Sequence, residues 1–163
     1  MTLEELTALF RKLGAPRPES WASSQHHEGI DQLSRFVFLR EAWRCVVPPD
    51  DTRWIDAMRK RATRSPDAPC AGAGPALERM LAAGVDRKDI NELARVMQYE
   101  TLFALCALLD EGGPASSEPE LADLGWQLKR VDENGDVVGP IAGIHESVLW
   151  LDPSGREMRP KKD

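Results

Sequence analysis

The chain has 163 residues, 42% hydrophobic and 29% charged, a balance that suits one folded domain and excludes a disordered or low-complexity chain. Lys plus Arg number 21 against 27 Asp plus Glu, a net charge of −6, which argues against a dedicated nucleic-acid binder because phosphate contacts need a basic face. The longest apolar run, Leu102 to Leu109, falls far short of the ~20 residues that cross a bilayer, so no membrane span is expected.

Thr2-Leu3-Glu4-Glu5 forms a capping box, and Leu3, Leu6, Leu9 and Phe10 recur at helical spacing up to Gly14. Pro16 and Pro18 open a short linker. The stretch from Ser20 to Glu28 is polar apart from Trp21 and predicts one or two helical turns. A second strong helix is predicted from about Asp31 to Val46. Leu33, Phe36, Val37, Leu39, Ala42 and Trp43 form its apolar face, with Asp31 and Arg35 as an outer i, i+4 pair. Pro48-Pro49 ends it. Asp51 or Thr52 caps a third helix, Arg53 to Ala62, with Trp54, Ile55 and Met58 facing inward. Residues 65–75 (SPDAPCAGAGP) read as a loop. Pro75 fits the first turn of a fourth helix, Ala76 to Ala83, stopped by Gly84.

Asp86 caps the next helix and Asp89 lies in its first turn. No Gly or Pro interrupts the chain from Val85 to Glu111, and Leu102 to Leu109 is apolar on every side. A helix apolar all round belongs in a core. The expected fold is therefore mainly α: a compact helical body, residues 1–112, around a central buried helix at about 87–110. A small β or irregular C-terminal part, 120–160, completes a single α+β domain, 1–163. A polar loop covers 114–120. Trp126 to Val131 predicts a strand, Asn134-Gly135 a hairpin turn and Val137-Val138 its partner, broken by Gly139-Pro140. Residues 143–151 fit a strand or a short helix equally. Asp152-Pro153-Ser154-Gly155 is a turn, and Arg156 to Asp163 a loosely held tail.

Chemistry is weakly signalled. The three cysteines, Cys45, Cys70 and Cys106, are odd in number and show no CxxC pairing, which points to free thiols in a reducing compartment. Cys45 and Cys106 sit in apolar helical sequence. The first residues, MTLEELTALF, lack the basic start and apolar run of a signal peptide, so a cytoplasmic location is expected. The Ala, Arg, Pro and Asp content has a bacterial texture. His26, His27, His145 and Glu146 form a candidate metal set, should the segments meet, with an open position for water. Adjacent histidines point about 100° apart on a helix, which counts against that set. Glu100, set before the apolar run, is a candidate buried carboxylate, either ion-paired with Arg40 or Arg44 or acting as an acid or base. His145 and Glu146 are the other catalytic candidates.

Arg59, Lys60 and Arg61 lie in a basic segment that suits an acidic partner, although consecutive residues spread around a helix. Of five tryptophans, Trp21, Trp126 and Trp150 fall outside the strongly apolar helices and are candidate exposed partner anchors. The alternation of Asp132, Asn134 and Asp136 lacks the glycine and glutamate of a calcium loop. The closing stretch GIHESVLWLDPSGREMRP is distinctive, with no activity attached to it.

The leading expectation is a non-enzymatic module that binds another protein, with a toxin-neutralising, immunity-like role as one form of it, and that needs no cofactor. A metal-dependent hydrolase built on His26, His27, His145 and Glu146 is the alternative. A DNA-binding regulator is the third.

Overall fold

The computed structural model describes residues 1–114 and 118–160; positions 115–117 of the predicted polar loop and the end of the predicted tail lie outside them. Among the described residues seven α-helices run in chain order: α1 Leu3–Lys12, α2 Pro18–Glu28, α3 Gln32–Ala42, α4 Arg53–Arg64, α5 Ala73–Ala82, α6 Arg87–Glu111 and α7 Ile144–Ser147. Strands β1 Lys129–Val131 and β2 Val137–Pro140 precede α7. The protein is mainly helical with a small C-terminal hairpin, and none of its described helices is long and apolar enough to cross a membrane. The chain divides into two compact units, Met1–Trp43 with Thr101–Asp163, and Arg44–Glu100.

The first unit is built on an aromatic trio. The capping box at Thr2 starts α1, and Gly14 at φ 80° turns the chain after it. Phe10 stacks on Trp21 at 6.1 Å between ring centroids, and Phe36 meets both edge-on at 5.7 and 5.8 Å. Each ring taken from water contributes about 2 kcal/mol. Trp21 is only 4% exposed, which corrects the expectation that it is a surface anchor. Its helix is polar because the rest of α2 faces water; Trp21 and Ala22 alone are buried.

Residues 143–151 resolve into α7 and a 3-10 turn at Leu149–Leu151. Gly143 at φ 67° starts α7, and a β-carbon there would overlap the Arg35 guanidinium. Arg35 donates to the Ala142 carbonyl at 2.8 Å, and Asp31 pairs with Arg130 and caps α3, so the predicted Asp31–Arg35 pair is not formed. Ile144 and Val148 are fully buried, and the Trp43 indole N–H donates to the Val148 carbonyl at 2.9 Å.

The hairpin exists, but its turn is wider than Asn-Gly alone. Asp132 Oδ1 accepts from the N–H groups of Asn134 and Asp136, and the Gly135 N–H bonds the Asp132 carbonyl. Only Gly135 has positive φ, so this is a five-residue loop around a tight turn. β2 runs through Gly139 to Pro140, which pairs with Lys129 at the strand end, where a missing N–H is tolerated.

The second unit packs Ile55, Leu77 and Ile90 together, with Trp54, Met80 and Leu81 around them. Gly74 lies so close to α4 that a β-carbon would overlap Ala62. Asp51, not Thr52, accepts from the Arg53 N–H at the start of α4. Met58 points outward, against expectation, and Cys45 is exposed rather than sheltered.

α6 is the main departure from the sequence reading. In the second unit it buries Ile90 in the core, but the neighbouring inward residues Asn91 and Arg95 are polar. Pro48-Pro49 supplies no N–H, and the carbonyls of Val47 and Pro48 still need donors. Arg95, 1% exposed, donates to the Val47 carbonyl at 2.9 Å, and Asn91 to that of Pro48 at 3.2 Å. Gln98 accepts from the Val47 N–H at 2.7 Å. Residues 91, 95 and 98 share one helical face. With that face committed, Leu93 and Met97 are exposed. In the first unit, Cys106 is buried and Leu102 and Leu109 half-buried, while Phe103, Ala104, Leu105 and Leu108 are exposed. The helix predicted to be buried on all sides is thus bare along one.

Candidate functional site

A cavity of about 470 Å³ opens in the first unit. Phe36 and Trp43 form one wall, Trp150 another, and Arg17, Arg40 and Glu157 line it with charge. Both guanidiniums sit on aromatic faces: Arg17 lies 5.0 Å from the Trp150 ring centre and Arg40 6.0 Å from that of Phe36. Both side chains stay open to solvent, so each contact is of the exposed kind, about 0.5–1 kcal/mol, and orients the arginine without removing its donors. Arg40 also binds Glu41, at 2.9 Å. Arg17 reaches Glu157 only at 3.5 Å, and Glu157 lies closer to Arg159, at 2.8 Å.

The rim is strained. Arg17 has φ 50° and ψ 59°, and Glu157 and Met158 have φ 50° and 57°. Side chains with a β-carbon avoid this region, at a cost on the order of 1 kcal/mol each. Buried Asp152 holds the second of these segments. Its carboxylate accepts from the Ser154 N–H and hydroxyl and from the Met158 N–H, at 2.9, 2.5 and 2.8 Å. The closing stretch that was distinctive in sequence is therefore one side of the cavity. Arg40, expected beside Glu100, binds Glu41 instead; Arg17 carried no sequence signal, because its place at the cavity depends on the left-handed turn before α2.

His145 meets a carboxylate the sequence reading did not select. Asp110, near the end of α6, accepts from His145 Nδ1 at 2.6 Å and from the His145 backbone N–H at 2.9 Å. An ionised carboxylate only accepts, so Nδ1 carries the hydrogen of this bond. Phe103 lies edge-on to the ring at 6.1 Å. Burial raises the Asp110 pKa, but its bonds to the His145 N–H, the His145 ring and the Ile144 N–H outweigh that and hold it below the usual value. Cys106, one turn earlier, is pushed up to about 11 by burial and by the Asp110 charge, so it is a thiol and not a nucleophile at neutral pH. Asp110 also takes the backbone at the start of α7, so the pair fastens that helix to α6.

The remaining candidates are dispersed. His26 and His27 are exposed, with perpendicular rings 5.0 Å apart, and His27 Nδ1 donates to the Ser23 carbonyl of its own helix at 3.0 Å. Glu146 lies beside Gly143. Among the described residues no three His, Cys, Asp or Glu side chains gather as metal ligands, so His26, His27, His145 and Glu146 do not form the expected set. Glu100 is exposed and is not the buried carboxylate predicted. Trp126 is half-buried, and its indole donates to the Leu108 carbonyl at 2.7 Å, closing the end of α6. Trp150 remains 49% exposed. In the second unit, Arg59 binds Asp56 at 3.2 Å and reaches Glu78 at 3.6 Å, while Lys60 and Arg61 are exposed. Arg87 also bonds Asp56, which holds that carboxyl below its ordinary pKa. Self-pairing of this kind leaves the segment less basic than its composition suggests.

No protein-family model, curated protein or solved structure matches the chain.

Proposed function

We propose that the protein is a binding module for another protein and receives it on the outer face of α6 in the first unit. The observation that carries this is the exposure of Leu105 and Leu108, neighbours on one side of a regular helix, with Leu105 53% open. Single exposed leucines are ordinary, but adjacent ones along a helix suit helix-in-groove recognition. The surrounding charge specifies the partner. From Val96 to Leu128 the chain has no Lys, Arg or His; Asp110 is taken up by His145, and Glu100, Glu111, Glu118, Glu120 and Asp123 are exposed. An amphipathic segment with an apolar stripe flanked by Lys or Arg matches this face, and the acidic rim would steer its approach. A toxin-neutralising, immunity-like role in a cytoplasm is a specific form of the same proposal. The metal-dependent hydrolase is less supported, because its four donors are dispersed.

The test is a titration with a fluorescent Leu/Lys amphipathic peptide and a Leu/Glu control. The Leu/Lys peptide should bind saturably, the control should not, and Leu105→Glu with Leu108→Glu should weaken binding roughly tenfold or more, about 1.4 kcal/mol. Equal binding by the control, or by the double variant, rejects the proposal. Concentration-dependent dimerisation abolished by the same substitutions rejects it too, in favour of a second copy as the occupant.

A further inference from the structure

We infer that the cavity of the first unit is a binding site for a small aromatic carboxylate, separate from the α6 face. Its volume, about 470 Å³, lies within the range of small-molecule pockets. Its open apolar surface is the Trp150 ring with half-buried Leu149, backed by the buried Phe36, Trp43 and Leu151, which suits a flat apolar body. Its charge lies in Arg17 and Arg40, each set over an aromatic ring; Arg40 already bonds Glu41 through Nε and one terminal nitrogen, which orients its remaining donors. Glu157 reaches Arg17 only at 3.5 Å and lies closer to Arg159, so a ligand carboxylate can approach Arg17 to a shorter distance than Glu157 does. The left-handed backbone at Arg17, Glu157 and Met158 is a second, independent feature. Asp50 and Cys70 share this conformation in loops elsewhere, but three of these residues meet at or beside the cavity rim, where buried Asp152 secures the Glu157–Met158 segment. A guanidinium fork facing ring walls selects an anion with a planar body over a bare anion or a neutral ring.

The experiment follows the indole N–H resonances of Trp43 and Trp150 by NMR while 2-naphthoate, 2-naphthamide or inorganic phosphate is added. Naphthoate should shift both saturably, naphthamide should bind roughly tenfold or more weakly, and phosphate alone should shift neither. Arg17→Gly should keep the fold, because glycine accepts the left-handed conformation, yet lose most naphthoate affinity; Arg40→Gln should lose affinity independently. Equal binding of naphthoate and naphthamide overturns the inference. So does saturation by phosphate alone, naphthoate binding unchanged in both variants, or no saturable shift of either indole.

Discussion

Replacing Asp110 by alanine tests how the C-terminal segment is held. The side chain is 7% exposed and accepts two hydrogen bonds from His145, at 2.6 and 2.9 Å. A hydrogen bond to a charged group contributes about 1.5–3 kcal/mol, and the start of α7 would lose its acceptor, so Asp110→Ala should cost about 3 kcal/mol. Asp110→Asn keeps one acceptor oxygen and should cost about half as much. Urea unfolding followed by tryptophan fluorescence reads both. The Asp110 pKa lies below its ordinary 3.8 in the folded state. A depressed carboxylate pKa gives stability that is complete above the unfolded value and is lost as pH falls through the folded one. The gap between parent and Asp110→Asn should therefore hold at neutral pH and close below about pH 4. A change within about 0.5 kcal/mol for Asp110→Ala at neutral pH would refute the fastening role.

Three further outcomes follow from packing. Trp21→Ala should cost about 3–5 kcal/mol because it opens the aromatic core, whereas Trp150→Ala should cost about 1 kcal/mol or less; chemical denaturation distinguishes them. Gly74→Ala should destabilise the second unit by about 1–3 kcal/mol, and adding Ala62→Gly should recover part of the melting temperature. Cys45 and Cys70 should react with a thiol reagent in the native protein, while buried Cys106 should react only on unfolding.

Helix positions were legible wherever caps and breakers act locally. Thr2, Gly14 and Asp86 serve as their chemistry dictates, whereas α3 ends at Ala42 and passes into a 3-10 turn before the Pro48-Pro49 stop expected to end it. The inside of α6 was not legible. Periodicity registers apolar side chains but cannot foresee that two prolines leave carbonyls needing Asn91 and Arg95, a demand that turns Leu93 and Met97 outward. Trp21 was misplaced for the same reason: a polar helix concealed one buried ring whose partners, Phe10 and Phe36, lie on other helices. At the candidate sites, His145 was visible but its partner Asp110 was hidden at the end of an apolar run. The cavity depends on Arg17 adopting a conformation that no residue pattern encodes.

The central claim is that the outer face of α6 is bare and available to a partner. Thermal unfolding of the Leu105→Asp, Leu108→Asp double variant tests it most directly. Two exposed leucines contribute little to the fold, so the transition should stay cooperative and its midpoint should move by no more than about 4 °C. Loss of the cooperative transition would show that these leucines are core, and the face proposed for partner binding would not exist.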